Sequence, residues 1–245
     1  MKISFVIPAY NEEKVISKCL ESVLSEISKN NYDTEIVVVN NNSIDKTSEI
    51  AASFNNVKVV DEKNKGIVWA RKCGMDNSTG DLIANIDADV ILPEGWLKKV
   101  MTEFEKDNNL VALSGPYIYY DLKKYEQALV RFFYYLNYCT YILTSRILKI
   151  GGALQGGNFI VRRDAMEKIG GYDTTISFYG EDTDIAKRIF KAGKVKWTFD
   201  LPMYTTGRRL REEGIIRMGL KYSINYFWPL IFGKPFTKKY KDIRK

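Results

Sequence analysis

The chain of 245 residues contains no histidine. That absence removes Ser-His-Asp and Cys-His nucleophilic catalysis together with every histidine-ligated metal site, so acid, base and metal chemistry falls to carboxylates. Cysteine is scarce: Cys19, Cys73 and Cys139 are odd in number, widely spaced and form no C-x-x-C pair. Neither a disulfide framework nor a thiolate zinc site is expected, and a reducing compartment suits the chain. Long apolar runs are also missing. The opening, MKISFVIPAYNEE, turns polar too soon for a secretory signal, so no export is expected. The aromatic stretch Tyr117 to Ile150 is interrupted by Arg131, Asn137 and Arg146 and is too broken to span a bilayer.

What is present fits one compact α/β domain, with 45% apolar residues to build a core. The net charge of +7 is unevenly placed: Gly207 to Lys245 carries 11 Lys and Arg against 3 Asp and Glu. A basic tail on a near-neutral body suits contact with anionic headgroups, substrate phosphates or nucleic acid; a merely solvated face is the alternative. From Met1 to about Pro116, short apolar runs alternate with helix-period segments, the pattern of a mostly parallel sheet wrapped by helices. Strands are expected near Ile3 to Ile7, Glu35 to Val39, Val57 to Val60, Leu82 to Ile86 and Val111 to Ser114. In the first helix Asn11 is placed as the cap and Glu12 and Glu13 at the positive end. Ile16, Leu20, Val23 and Ile27 form its packing stripe. Further on come a Gly-rich strand, GGALQGGNFIVRR, a short helix, the loop ISFYGED, a helix through Ala192 ended by Gly193, and a strand VKWTF.

In such a sheet ligands sit beyond the carboxyl ends of the strands, where this chain reads PAYNEE, NNNSIDKT, DEKNKG and DADV. Turn preference alone explains Asn and Asp in any one of them. The most informative is Asp87-Ala88-Asp89 after the apolar run LIANI: two carboxylates at the end of a buried strand concentrate negative charge. Hard oxygen ligands suit Mg²⁺ or Mn²⁺, and Mg²⁺ is usually held by one or two carboxylates together with substrate phosphates.

Taken in order, IPAYNEE, IVVVNNNSIDKT, NKGIVWARKCGMDNSTGDLIANIDADV, GGNFIVRRDAMEKIGGYD and YGEDTDIAKRIFKAG resemble the family-two glycosyltransferases of the GT-A fold, over most of the chain. The resemblance implies a Rossmann-like GT-A sheet, a nucleotide diphosphate sugar as donor (a UDP-sugar favoured, a GDP-sugar as the other choice), inversion at the anomeric carbon and a carboxylate base in the ED pair. It places Pro8, Ala9, Tyr10 and Glu12 around the nucleoside. Arg71 would approach the base or phosphates, Asp87 and Ala88 the ribose and metal, and Asp89 would ligate Mn²⁺ or Mg²⁺. Where the family commonly shows two aspartates after the second strand, this chain has Asn40 and Asn41, which keep hydrogen-bonding capacity toward a nucleobase without charge, and Asn41 is expected to bind the nucleotide sugar. Asp182 is the expected base, with Glu181 positioning the acceptor; an acidic pair at a helix start also serves as a cap. Arg208 and Arg209 are candidates to close over the diphosphate, with a surface charge run as the competing reading.

Residues 1–206 are thus expected to form the GT-A domain, nucleotide-binding to about 116 and acceptor-binding from about 117. Residues 207–245 form the basic, aromatic tail. Between Ile215 and Gly233 the apolar residues are interrupted by Arg217, Lys221 and Asn225, so a helix there lies in a membrane interface more readily than it crosses. The aromatic segment offers a second apolar surface near the acceptor side, although core packing explains the same aromatics. The expectation is a peripheral protein on the cytosolic face acting on a glycan or lipid-linked acceptor. A nucleotidyltransferase would carry a Gly-rich loop where PAYNEE stands, and an inert scaffold would have no need of both DAD and ED. No nucleic-acid-reading motif accompanies the basic tail.

Overall fold

The computed structural model describes residues 1–176 and 180–232. All five apolar runs expected as strands are strands: β1 (Ile3–Ala9), β2 (Thr34–Asn40), β3 (Val57–Asp61), β4 (Leu82–Ile86) and, after a short β5 (Val90–Ile91), β6 (Leu110–Ser114). Between them lie α1 (Ile16–Ser28), α2 (Thr47–Ala52), α3 (Ile67–Asp76) and α4 (Trp96–Lys106). The second half adds β7 (Tyr117–Tyr119), α5 (Lys124–Ile142) with a π-helical turn at Leu143–Ile147, β8 (Asn158–Arg162), α6 (Arg163–Lys168) and α7 (Glu181–Ile189). β9 (Lys194–Trp197), β10 (Met203–Thr205), α8 (Arg208–Glu213) and α9 (Ile215–Phe232) complete the described chain.

The main sheet runs β3-β2-β1-β4-β8-β6-β9, parallel except for β8, which is antiparallel to both neighbours. This is the mostly parallel, helix-flanked α/β sheet expected. A second sheet, β5-β10-β7, crosses its carboxyl edge. Side chains alternate along β1 with the strand period. Ile3, Phe5 and Ile7 enter the core under α1 and α4, where Leu20, Val23 and Phe104 pack, and Val6 joins Phe159, Ile185 and Ile189 on the other face.

Several local expectations are corrected. Asn11 does not cap α1. It takes the left-handed conformation (φ 52) and its Oδ1 accepts the Ile44 N–H at 2.9 Å, while α1 begins at Ile16 behind Val15. The reason is the parallel β1–β2 pairing, which sets the two following loops side by side and lets them bond across. Glu13 likewise accepts the Lys46 N–H at 3.1 Å instead of sitting on the helix end. The Gly-rich stretch becomes strand only from Asn158, because the residues before it form a wall of the site. α7 stops at Ile189, with turns carrying the chain to Ala192. In the loop ISFYGED, residues 177–179 lie outside the described residues, as do 233–245 of the tail. The three cysteines are free thiols.

One buried carboxylate joins two helices. Glu26 on α1 accepts the N–H groups of Gly95 at 3.0 Å and Leu97 at 3.1 Å, satisfying donors that α4 leaves open at its start. Glu26→Ala should therefore lower unfolding free energy by about 1–3 kcal/mol in urea titration, whereas Glu21→Ala on the exposed face of α1 should have little effect.

Candidate active site

β4 ends at Ile86, so Asp87, Ala88 and Asp89 emerge at the carboxyl edge of the sheet. Because β8 runs the opposite way, with Asn158 paired to Ile86, residues Gln155 to Gly157 arrive at that same edge. Gly157 has φ 74, and a Cβ there would overlap the Asp87 carboxylate and the Tyr117 hydroxyl, so glycine is required on both counts.

Arg71, on α3, is only 2% exposed and lies over the Phe159 ring, 5.2 Å from its centroid. Its Nη2 donates to Asp87 Oδ1 at 3.1 Å and its Nη1 pairs with Glu181 Oε1, so one guanidinium joins the end of β4 to the start of α7. Asp182 follows in the first turn of α7. Its Oδ2 accepts the Gly156 N–H at 3.1 Å and its Oδ1 the Thr183 N–H at 2.8 Å. Burial pushes the Asp182 carboxyl above its usual range, against the lowering influence of Thr183, Arg71 and Gly156. One Asp182 oxygen is thus held by the first turn of α7 and the other by the Gly156 backbone.

On the opposite side, Arg208 at the start of α8 reaches the Glu12 carboxylate at 2.9 Å and Asp89 Oδ2 at 3.0 Å. The domain boundary expected after residue 206 therefore runs through the site. Further along, Leu210 and Met218 pack with Leu122, tying α8 and α9 to the body. Glu12, Asp87, Asp89, Glu181, Asp182, Arg71, Arg208 and Arg209 line one cleft of about 330 Å³: five carboxylates face three guanidinium groups, and that of Arg209 is paired with Glu213 at 3.1 Å. Among the described residues no group of three or more His, Cys, Asp or Glu side chains is arranged to hold an ion. The donor set nevertheless fits Mg²⁺ or Mn²⁺, since such ions are commonly held by one or two carboxylates and completed by substrate phosphates. Asp87 and Asp89, two hard oxygen donors in an acidic cleft, supply that half of a shell.

Pro8 and Ala88 line the same cleft, so ten of the thirteen expected site residues converge. Ala9, Tyr10 and Asn41 are not part of its wall. The Tyr10 hydroxyl accepts from Lys65 Nζ at 2.6 Å. Asn41 is buried: its Nδ2 donates to Glu62 O at 2.9 Å and Asn64 O at 2.7 Å, and its Oδ1 accepts the Gly66 N–H at 2.8 Å. Both amide donors hold the loop after β3, which corrects the expectation that Asn41 is presented to the donor in this conformation. An aspartate could not donate to those carbonyls, so the Asn at this position has a structural cause. Asn40 likewise donates to Asp61 Oδ1 at 2.7 Å, where an aspartate would oppose another carboxylate.

Sequence reasoning places the aromatic segment near the acceptor side but singles out neither Tyr117 nor Tyr134, which line the cleft. The Tyr117 hydroxyl lies 2.7 Å from Gly156 O and 3.2 Å from Asp87 Oδ2, and burial holds its pKa well above the ordinary phenol. Tyr134 OH accepts the Tyr117 N–H at 3.0 Å and reaches Gln155 Oε1 at 3.1 Å. Tyr117 follows closely on β6, so the loop-after-strand argument, applied once more, would have found it.

The model of the family described as "Glycosyl transferase family 2" matches residues 4–170. The chain belongs to this family. A second family model, described as "N-terminal domain of galactosyltransferase", matches residues 149–208, the stretch from the Gly-rich wall to Arg208. The chain is 30% identical over 204 residues to the probable glycosyltransferase YdaM of Bacillus subtilis, covering 78% of this chain and 47% of that protein. It is 25% identical over 187 residues to the glucosyl-dolichyl phosphate glucuronosyltransferase of Haloferax volcanii, covering 74% of this chain and 59% of that protein. The chain thus spans about half the length of these curated relatives. In fold it resembles the mannosyltransferase PcManGT from Pyrobaculum calidifontis, solved with GDP-Man and Mn²⁺: TM-score 0.69, 21% identity, 95% of this chain and 65% of that one. The architecture is GT-A.

Arg71→Met leaves the carboxylates of Asp87 and Glu181 facing each other without a cation. Chemical denaturation should register a loss of about 3–5 kcal/mol, the usual consequence of removing one member of a buried ion pair. Arg71→Lys, which keeps charge but not the fork, should fall between the two.

Proposed function

We propose that the chain is an inverting glycosyltransferase that moves a sugar from a nucleotide diphosphate donor to a hydroxyl of a glycan or lipid-linked acceptor. The observation that carries this reading is the meeting of the Asp87/Asp89 pair and the Glu181/Asp182 pair across one cleft, linked by Arg71. The family model supports glycosyl transfer; inversion is carried over from the resemblance of the ordered motifs, and the acceptor class from the aromatic segment and the basic tail.

Asp89, with Asp87, would hold Mn²⁺ or Mg²⁺, which as a Lewis acid offsets charge developing on the departing diphosphate. Arg208, already against Asp89, lies where a guanidinium can turn to phosphate oxygens, and Arg209 stands beside it on α8. Asp182 takes the proton of the acceptor hydroxyl as that oxygen bonds to the anomeric carbon. The glycosidic C–O bond opposite then breaks and its electron pair leaves with the nucleotide diphosphate. Glu181, fixed by Arg71, orients the acceptor. Of the two donor classes, a UDP-sugar remains the favoured choice.

The direct test is nucleotide release from UDP- and GDP-sugars in the presence of Mn²⁺, with glycan and lipid-linked acceptors. Asp182→Asn should bind donor normally and lose about 10² to 10⁴ in turnover; unchanged turnover would move the base elsewhere. Because Asp182 must be ionised to accept a proton and its pKa is raised, kcat/KM should fall on the acid side at a pH above the ordinary carboxylate value of about 3.9. Excess chelator or Asp89→Ala should remove most activity, the variant keeping its circular dichroism. Full turnover in chelator would contradict the assignment of metal.

A further inference from the structure

α5 is apolar on both faces but covered on one. On its inner side Tyr134, Tyr138 and Tyr141, at spacings of four and three, pack toward β9, with Tyr134 and Tyr138 about 6 Å from the Trp197 ring (6.1 and 5.7 Å). On its outer side Tyr125, Phe132, Leu136, Leu143 and Ile147 recur at spacings of seven, four, seven and four, a single stripe of a 3.6-residue helix carried through the π-helical turn. These five side chains are 42–68% exposed, and Leu148 and Ile150 extend the patch beyond the turn. A helix apolar all round is normally buried. Only Tyr141 in α5 is fully buried, so the outer stripe, about 33 Å long at 1.5 Å per residue, has no cover among the described residues.

Charge indicates what covers it. Lys124, Arg131 and Arg146 follow one flank of the stripe, all exposed, with Lys123 and Lys149 at its ends; from Leu122 to Ile150 the sole acidic residue is Glu126, which caps the helix by accepting the Lys123 N–H at 2.8 Å. Aromatic and aliphatic side chains beside a one-sided row of cations suit the boundary between anionic headgroups and acyl chains. No helix among the described residues is long and apolar enough to cross a bilayer. α5 also lines the cleft through Phe133, Tyr134 and Asn137, so the same helix has one side toward the acceptor and the other exposed.

We propose that the outer face of α5 and its π-helical turn docks the protein onto an anionic lipid surface, and that this helix, rather than the C-terminal tail, is the principal membrane contact. The inference rests for its purpose on the lipid-linked choice of the acceptors proposed above, but vesicle binding is read without any turnover and so fails or succeeds separately from the chemistry.

The experiment is sedimentation of the full chain with vesicles of phosphatidylcholine, with and without phosphatidylglycerol, at low and high salt. Binding should require the anionic lipid and weaken as salt rises. Phe132→Ser/Leu136→Ser/Ile147→Ser should reduce apparent affinity by about tenfold or more, with melting temperature and UDP binding retained. Lys124→Glu/Arg131→Glu/Arg146→Glu, on exposed positions, should abolish the preference for anionic vesicles. A chain ending at Phe232 should still bind. A full chain that stays in the supernatant at low salt overturns the proposal. So does a stripe variant that binds like the parent, loss of binding in the chain ending at Phe232, or a dimer that the stripe substitutions dissolve without any vesicle binding.

Discussion

The site depends on one buried guanidinium. Arg71 meets Asp87 from the end of β4 and Glu181 from the start of α7, two carboxylates more than ninety positions apart in sequence. Without a cation between them they would repel at close quarters in a setting of reduced dielectric. Desolvating such a group is expensive and adds little net stability over apolar packing; its consequence is positional. The pairing fixes the first turn of α7 against the carboxyl edge of the sheet, and Asp182 is held there in turn by Gly156 and Thr183.

Around that cation the cleft divides into unlike walls. One is charged, built from Glu12, Asp87, Asp89 and Arg208, and suits a diphosphate with its counter-ion. The other is aromatic, built from Tyr117, Tyr134 and Trp197 with amide groups between them. The reversed direction of β8 makes the junction possible, because it delivers the Gly156 backbone to the edge where β4 ends. Gly157 then allows backbone to pass where any side chain would strike Asp87. The first wall carries an acidic excess suited to a cationic partner, whereas Asp182, the proposed base, has its pKa raised by burial.

Much of this was legible in the sequence because it follows from local pattern. Apolar runs located β1, β2, β3, β4 and β6, the loop after the fourth of these located the Asp87/Asp89 pair, and the family resemblance placed Pro8 and Glu12. The ordered motifs added Arg71, Glu181 and Asp182. Less legible was whatever depends on side-chain direction or on partners distant in the chain. Asn11 reads as a helix cap until the β1–β2 pairing gives it Ile44. Asn41 reads as a donor ligand until its amide is seen gripping the loop after β3. Arg208 is a candidate for the diphosphate in sequence, but its pairing with Asp89, 119 positions away, and with Glu12 emerges only when α8 folds back onto the cleft. The aromatic residues of α5 form one undifferentiated run in sequence, and only the packing of Tyr134 and Tyr138 against Trp197 reveals a second face.

The central claim is that Asp87 and Glu181 act as a unit through Arg71. A double-mutant cycle on stability, with Asp87→Asn, Glu181→Gln and both together, measured with Arg71 present and again in the Arg71→Met background, tests it most directly. Each single change leaves the guanidinium one partner and the pair of changes leaves none. With Arg71 present, the double variant should therefore lose more than the sum of the singles, by about 0.5–3 kcal/mol. In the Arg71→Met background each single change should instead stabilise, because neutralising either carboxylate relieves the repulsion, and the double variant should gain little more than one single. Additive losses in both backgrounds would contradict the account.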